Sequence, residues 1–182
     1  MGEYAHTIDA KGRVILPADF RQELGVSFVI TKGLDKCLFL YGQQAWEELA
    51  AKLRALPLAK PEARAIVRFF FSGARTLECD KQGRFLVPAN LRAYADITLR
   101  QSVVLTGADN RIEVWSKDQW SRYNEEVEPD VTAIAASLAS SAFEAREARE
   151  ARYEARNEDR WGQETWSFII SASCWRRQSR VS

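Results

Sequence analysis

Two short stretches of this chain hold the side chains best suited to chemistry. Asp9-Ala10-Lys11-Gly12-Arg13 and Asp80-Lys81-Gln82-Gly83-Arg84 each place a carboxylate four residues before a guanidinium, with a glycine just ahead of the arginine. Asp at the start of a turn accepts backbone N–H bonds, and Gly permits the positive φ of a tight connection between strands. Arg presents a planar fork of donors that fits a guanine edge, whereas Lys presents a point charge that fits phosphate. Taken alone, these residues support two readings. One is a pair of well-made turns with solvated charges; the other is a pair of cationic tips, Lys11, Arg13, Lys81 and Arg84, aimed at a nucleic acid. In the second, Asp9, Gly12, Asp80 and Gly83 structure the loops and stay off the ligand, because a carboxylate is repelled by phosphate.

The elements that hold these stretches come as a duplication. Asp9, Gly12, Arg13, Pro17, Ala18 and Arg21 recur 71 positions later as Asp80, Gly83, Arg84, Pro88, Ala89 and Arg92. The match resumes after a three-residue shift: Gly33, Asp35 and Trp46 lie over Gly107, Asp109 and Trp120, 74 positions on. Each copy reads as strand, turn, strand, short helix, strand, turn, strand, helix. In the first copy the strands are expected over Glu3–Ile8, Arg13–Leu16, Val26–Thr31 and Cys37–Tyr41, with helices over Ala18–Leu24 and Gln43–Leu56. In the second copy the strands fall at Arg75–Cys79, Arg84–Val87, Ser102–Thr106 and Arg111–Trp115. The short helix there is Ala89–Ala95, and a capping box at Ser116–Gln119 opens a helix running to about Glu126. Pro61–Phe71 adds a helix between the copies. The expected organisation is a first repeat at 1–56, a connecting helix at 57–74, a second repeat at 75–128 and a low-complexity tail at 129–182. Each copy is too small to bury much surface, so the two are expected to share one core.

Other candidate chemistry falls away. His6 is the sole histidine, so no His-based metal cluster can form, and it reads as a strand residue. Cys37, Cys79 and Cys174 are far apart and form no CxxC pair, as expected of reduced thiols. Glu47-Glu48 and Glu125-Glu126 read as solvated helix faces, and Phe69-Phe70-Phe71 as packing between the halves or between subunits. Asp35 and Asp109 read as turn formers. No P-loop, dinucleotide fingerprint, nucleophile elbow or metal motif occurs. The chain is therefore expected to have no catalytic residues, no metal and no cofactor, and not to be an enzyme.

Charge limits how a nucleic acid could be held. The chain has 26 Lys and Arg against 25 Asp and Glu, a net +1. Residues 1–130 balance at 18 and 18, and residues 131–182 carry 8 and 7. Binding must then come from a local basic patch repeated by assembly. The N-terminus lacks a basic, then apolar, leader, and no apolar run reaches the roughly 18 residues of a membrane span.

The paired Asp-x-x-Gly-Arg copies, each followed by an apolar triplet and proline, resemble the MraZ family of AbrB-like (SpoVT-AbrB domain) regulators. So do Val67-Arg68-Phe69-Phe70-Phe71-Ser72-Gly73-Ala74 between the copies and Asn110-Arg111-Ile112-Glu113-Val114-Trp115 in the second. The resemblance covers about residues 1–130. It implies an α+β, mostly β fold, a double-split β-barrel of two half-domains, and ring-shaped homo-oligomers. It implies binding to short direct repeats upstream of the protein's own division and cell-wall gene cluster, and repression of that cluster. A cytoplasmic, nucleoid-associated protein with DNA and itself as partners, and no membrane, follows. Arg13, with Lys11 beside it, is the implied DNA contact, and Arg84 with Lys81 its second-copy counterpart. A protein-interaction module of the antitoxin-like type is the alternative, with the tail holding the partner.

The tail departs from the family pattern. Residues 133–142 are rich in Ala and Ser, and Glu144–Arg156 is a charged low-complexity run. Disorder, partner binding and a shifted reading frame compete as readings. For Trp166–Ser182 the last is favoured, because codons exist that let a second frame spell the start of a ribosomal RNA methyltransferase, whose gene commonly follows in this family.

Overall fold

A computed structural model describes residues 2–141. The expectations for the tail beyond 141 lie outside the described residues. Residues 1–126 form one compact unit.

The duplication is visible element by element. In the first copy β1 (Glu3–Thr7), β2 (Arg13–Ile15), α1 (Ala18–Leu24), β3 (Ser27–Lys32), β4 (Leu38–Gly42) and α2 (Gln43–Arg54) follow in order. After α3 (Pro61–Gly73), the same series returns as β5 (Arg75–Glu78), β6 (Arg84–Leu86), α4 (Ala89–Tyr94), β7 (Ser102–Ala108), β8 (Arg111–Ser116) and α5 (Lys117–Val127). Pro17 and Pro88 end β2 and β6 and stand at the N-caps of α1 and α4 with φ of −52° and −58°, angles that the pyrrolidine ring imposes.

The copies do not pack side by side; they interleave. The main sheet has the order β1-β7-β8-β4-β3-β5, all antiparallel. Each copy sends its first strand to the other: Glu3–Thr7 pairs with Ser102–Thr106, and Arg75–Glu78 pairs with Ser27–Ile30. The second strands pair with each other as a separate two-stranded ribbon, Arg13↔Leu86, Val14↔Phe85 and Ile15↔Arg84. Among the described residues the pairings form this open sheet and ribbon, without a ladder that closes them into one barrel.

One core results. Val14, Phe20, Phe28 and Leu40 of the first copy are buried with Phe85, Leu91, Val103 and Ile112 of the second. Phe28 and Phe85 meet edge to face across the copies at 5.5 Å, a preferred geometry for rings. A second cluster under α2 and α3 includes Trp46, Phe70 and Trp115. The phenylalanine run of α3 lies between the halves as expected: Phe71 touches Trp46 and Phe69 touches Tyr94, at 5.7 and 5.9 Å.

Two local expectations need correction. Val26 is 85% exposed and outside β3, so the strand starts one residue later. Asp35 and Asp109 both stand in their hairpin turns, with the positive φ on Lys36 in the first and on Asp109 itself in the second. The capping box at α5 is half-formed. Ser116 Oγ accepts the Gln119 N–H at 3.3 Å, but the Gln119 side chain donates to Asp96 rather than returning to Ser116. Donation from Gln119 Nε2 to Asp96, a charged acceptor on α4's flank, turns the amide away from the cap.

Beyond residue 126, Glu128–Asp130 forms a 3₁₀ turn and residues 131–141 are helical. Val131, Ile134 and Leu138 are exposed.

Candidate nucleic-acid interface

The two Asp-x-x-Gly-Arg stretches fold into matching loops because their local chemistry is the same. Asp9 N–H donates to Arg13 O at 2.9 Å and Gly12 N–H to Asp9 O at 3.0 Å; the second loop repeats these at 2.8 and 2.9 Å. This is a turn followed by a left-handed residue, and that residue is glycine in both, Gly12 at φ +83° and Gly83 at +74°.

The carboxylates then organise the loops from within. Asp9 Oδ1 accepts the backbone N–H groups of Lys11 and Arg13, and its Oδ2 accepts Arg13 Nε at 2.7 Å and pairs with Nη2 at 2.6 Å. Asp80 does the same with Gln82 and Arg84, with Nε at 2.8 Å and Nη2 at 2.8 Å. Hydrogen bonds from the backbone N–H of Arg13 and Arg84 are the main cause that holds both carboxyls down at about 2. Each arginine is gripped along its Nε–Nη2 edge. The Nη1–Nη2 edge is not used in that pair and keeps the bidentate geometry that suits a guanine or a phosphate.

The ribbon brings the loops together. Arg13, Ile15, Arg84 and Leu86 share its outer side, because Val14 and Phe85 point inward and are 1% exposed. Ile15 and Leu86 are 47% and 53% exposed. The sequence places both triplets in strands, and their period-two alternation separates the inner from the outer side.

Lys11 and Lys81 are exposed at the loop tips, but they are not counterparts. Gln82 occupies the position of Lys11, each donating its N–H to the loop carboxylate, and Lys81 takes the place of Ala10. Counting these side chains alone, each loop carries one carboxylate and two cations, a net +1.

Two further arginines reach the loops, each from the other copy. Arg92, on α4, lies against Gly12, and Arg21, on α1, lies against Gly83. Their repeat match was legible in the sequence; their crossing was not.

An open cleft of about 480 Å³ lies between the end of α1 and the start of α2. Its lining includes Glu23 and Glu48 with Gln22, Gln43, Gln44 and Asn110, a set poorly suited to a polyanion. Among the described residues no His, Cys, Asp and Glu group could hold a metal ion, and no helix is long and apolar enough to cross a membrane. Cys37 is buried and Cys79 half-buried, both as free thiols, and burial pushes the Cys37 thiol up to about 12.

Comparison with known proteins agrees with the internal duplication. The family model for the MraZ protein, described as antitoxin-like, matches twice, over residues 1–69 and 70–141. The matched span extends through residue 141, past the second repeat expected at 75–128. The transcriptional regulator MraZ of Moorella thermoacetica is 55% identical over 138 residues, 76% of this chain and 95% of its own length. Those of Desulfitobacterium hafniense (strain DCB-2) and Thermoanaerobacter sp. (strain X514) are 56% and 53% identical over the same shares. The solution structure of PHS018 from Pyrococcus horikoshii covers 62% of this chain at 18% identity, with a TM-score of 0.27; that likeness carries no weight for the fold.

Proposed function

This chain belongs to the MraZ family, and from that premise we propose that it is a DNA-binding transcriptional regulator that represses its own division and cell-wall gene cluster. It binds short direct repeats through Arg13 and Arg84, with Lys11 and Lys81 on phosphates, as a ring-shaped homo-oligomer of double-split barrels in the nucleoid. The observation that carries this reading is the pair of Asp-clamped arginines on one exposed ribbon face. A clamped guanidinium is pre-organised, so little side-chain freedom is lost when its outer edge meets a base. The relatives' shared name, transcriptional regulator MraZ, supports the regulatory role.

Near-neutral net charge fits such a design. One modest basic ribbon binds weakly by itself; copies set at a regular interval in a ring add through effective concentration on repeated sites.

A gel-shift titration on the protein's own upstream region tests the reading, with one or three repeats, wild type and Arg13→Ala, at two salt concentrations. Binding should be salt-sensitive, climb steeply with repeat number, and weaken about tenfold to a hundredfold in Arg13→Ala, the worth of one bidentate base contact. Equal affinity for one repeat and three would remove the ring argument. No binding by the assembled wild-type protein would overturn the DNA reading in favour of a protein-interaction module.

A further inference from the structure

We infer that each loop is a composite phosphate-binding site whose second guanidinium comes from the other copy, Arg92 at the first loop and Arg21 at the second. The inference rests on the DNA-binding reading above and assigns to these two arginines a role distinct from that of Arg13 and Arg84.

The glycines locate them. A Cβ at Gly12 would lie 3.1, 3.2 and 3.3 Å from Cζ, Nη1 and Nε of Arg92. Three nearly equal distances mean that the guanidinium turns its face to the glycine, so its donors point along its plane, away from that contact. At Gly83 a Cβ would lie 2.6 Å from Nη1 of Arg21 and 2.9 Å from its Cζ. The left-handed backbone calls for glycine at each site, and its missing side chain also leaves the space that an arginine from the other copy occupies. The crossing is held by backbone bonds between the copies, Leu16 N–H to Gly83 O at 2.8 Å and Val87 N–H to Gly12 O at 2.9 Å.

Charge gives the crossing a purpose. Arg13 and Arg84 each have a carboxylate partner. Among the described residues Arg21 and Arg92 have no ion pair or side-chain hydrogen bond, and Nε of Arg92 is buried with no partner. Adding one of them raises each loop from net +1 to +2. Like charges brought to one loop repel unless an anion joins them. Phosphate oxygens meet that need at the outward-facing guanidinium nitrogens, and the repeating DNA backbone supplies them beside any base that Arg13 or Arg84 reads. Arg21 and Arg92 therefore contribute affinity that is independent of sequence, whereas the clamped pair contributes discrimination.

Fluorescence anisotropy with the full-length protein separates these roles. The upstream duplex and a scrambled duplex of equal length are titrated over a tenfold salt range with wild type, Arg13→Ala, Arg21→Ala, Arg21→Lys and Arg92→Ala. Arg21 is exposed, so its variants keep the core intact. If Arg92→Ala does not assemble, Arg92→Gln keeps the polar reach without the charge and takes its place. Arg21→Ala and the Arg92 variant should each lower the slope of log affinity against log salt by about 0.9 for every engaged loop, making the affinity loss over that range about eightfold smaller. The change should be the same on both duplexes, and Arg21→Lys should restore the slope. Arg13→Ala should instead narrow the gap between the duplexes. A wild-type slope in both Arg21→Ala and the Arg92 variant would overturn the composite site while leaving the DNA reading intact. Absence of salt-sensitive binding by wild type would overturn both.

Discussion

The two Asp-x-x-Gly-Arg loops are alike in backbone and unlike in what surrounds them. Their carboxylate–guanidinium contacts agree to within 0.2 Å, and their glycines share the same left-handed turn. They differ above, where Ala10-Lys11 stands against Lys81-Gln82, and below, where Val14 opposes Phe85 on the ribbon's inner face. They differ also in the visiting arginine, half-buried at the first loop and exposed at the second. The clamp is the part that local chemistry specifies, so duplication preserves it. Side chains that meet the core or the solvent answer to separate surroundings and are free to diverge. Two copies of one motif are therefore not interchangeable copies of one site.

The inner face should break the symmetry most strongly. Phe85 is 1% exposed and stacks edge to face on Phe28, so Phe85→Ala should cost about 3–5 kcal/mol. Val14→Ala, at the paired position, should cost about 2 kcal/mol because a smaller apolar surface is lost. Urea denaturation of both variants measures the difference. Equal costs would mean that the two halves support the ribbon equally despite their unequal side chains.

A smaller contrast concerns the glycines. Alanine at either position suffers the positive φ, about 1–2 kcal/mol. At Gly83 the nearby Arg21 is exposed and can swing away, so Gly83→Ala should show little beyond that cost. At Gly12 the half-buried Arg92 has less room to yield, and Gly12→Ala should be the more destabilising. Thermal melts of the pair decide; the reverse order would show that the close approach of Arg21 to Gly83, not burial, controls the cost.

Acid should reveal the smallest difference. Asp9 and Asp80 both sit at about 2, below the ordinary 3.8. A folded value below the unfolded one means that each carboxylate's contribution to stability is present above about pH 4 and lost as pH falls through about 2. Between pH 5 and 9 neither clamp should change. Carboxyl-carbon NMR shifts of the two residues should titrate together near 2. If one titrates near 4 instead, its loop is open in solution and the equivalence of the clamps fails.

Much of this was legible in the sequence because it is local. Asp, Gly and Arg at fixed offsets determine a turn whose hydrogen bonds span five residues, so the loops, their carboxylate anchors and the positive φ at Gly12 and Gly83 could be read directly. Pro17 and Pro88 mark where β2 and β6 end for the same reason. The repeat itself needed only matching residues, and it led to the family resemblance. The half-formed capping box at Ser116 shows the limit: Asp96, 23 positions away, captured the side chain that a local reading returned to the cap.

What the tertiary structure alone decided is which copy touches which. The sequence by itself determined two similar units with two similar loops, and it determined a near-neutral net charge, so that binding to a polyanion would need a local group of cations. It did not determine that β1 and β5 exchange partners, that β2 and β6 form a shared ribbon, or that Arg21 and Arg92 cross to the other copy's glycine. Hydrogen bonds within a turn are set by neighbours along the chain. Strand partners and crossed side chains are instead chosen by burial, and burial of Phe28 against Phe85 is satisfied only when the two copies interleave.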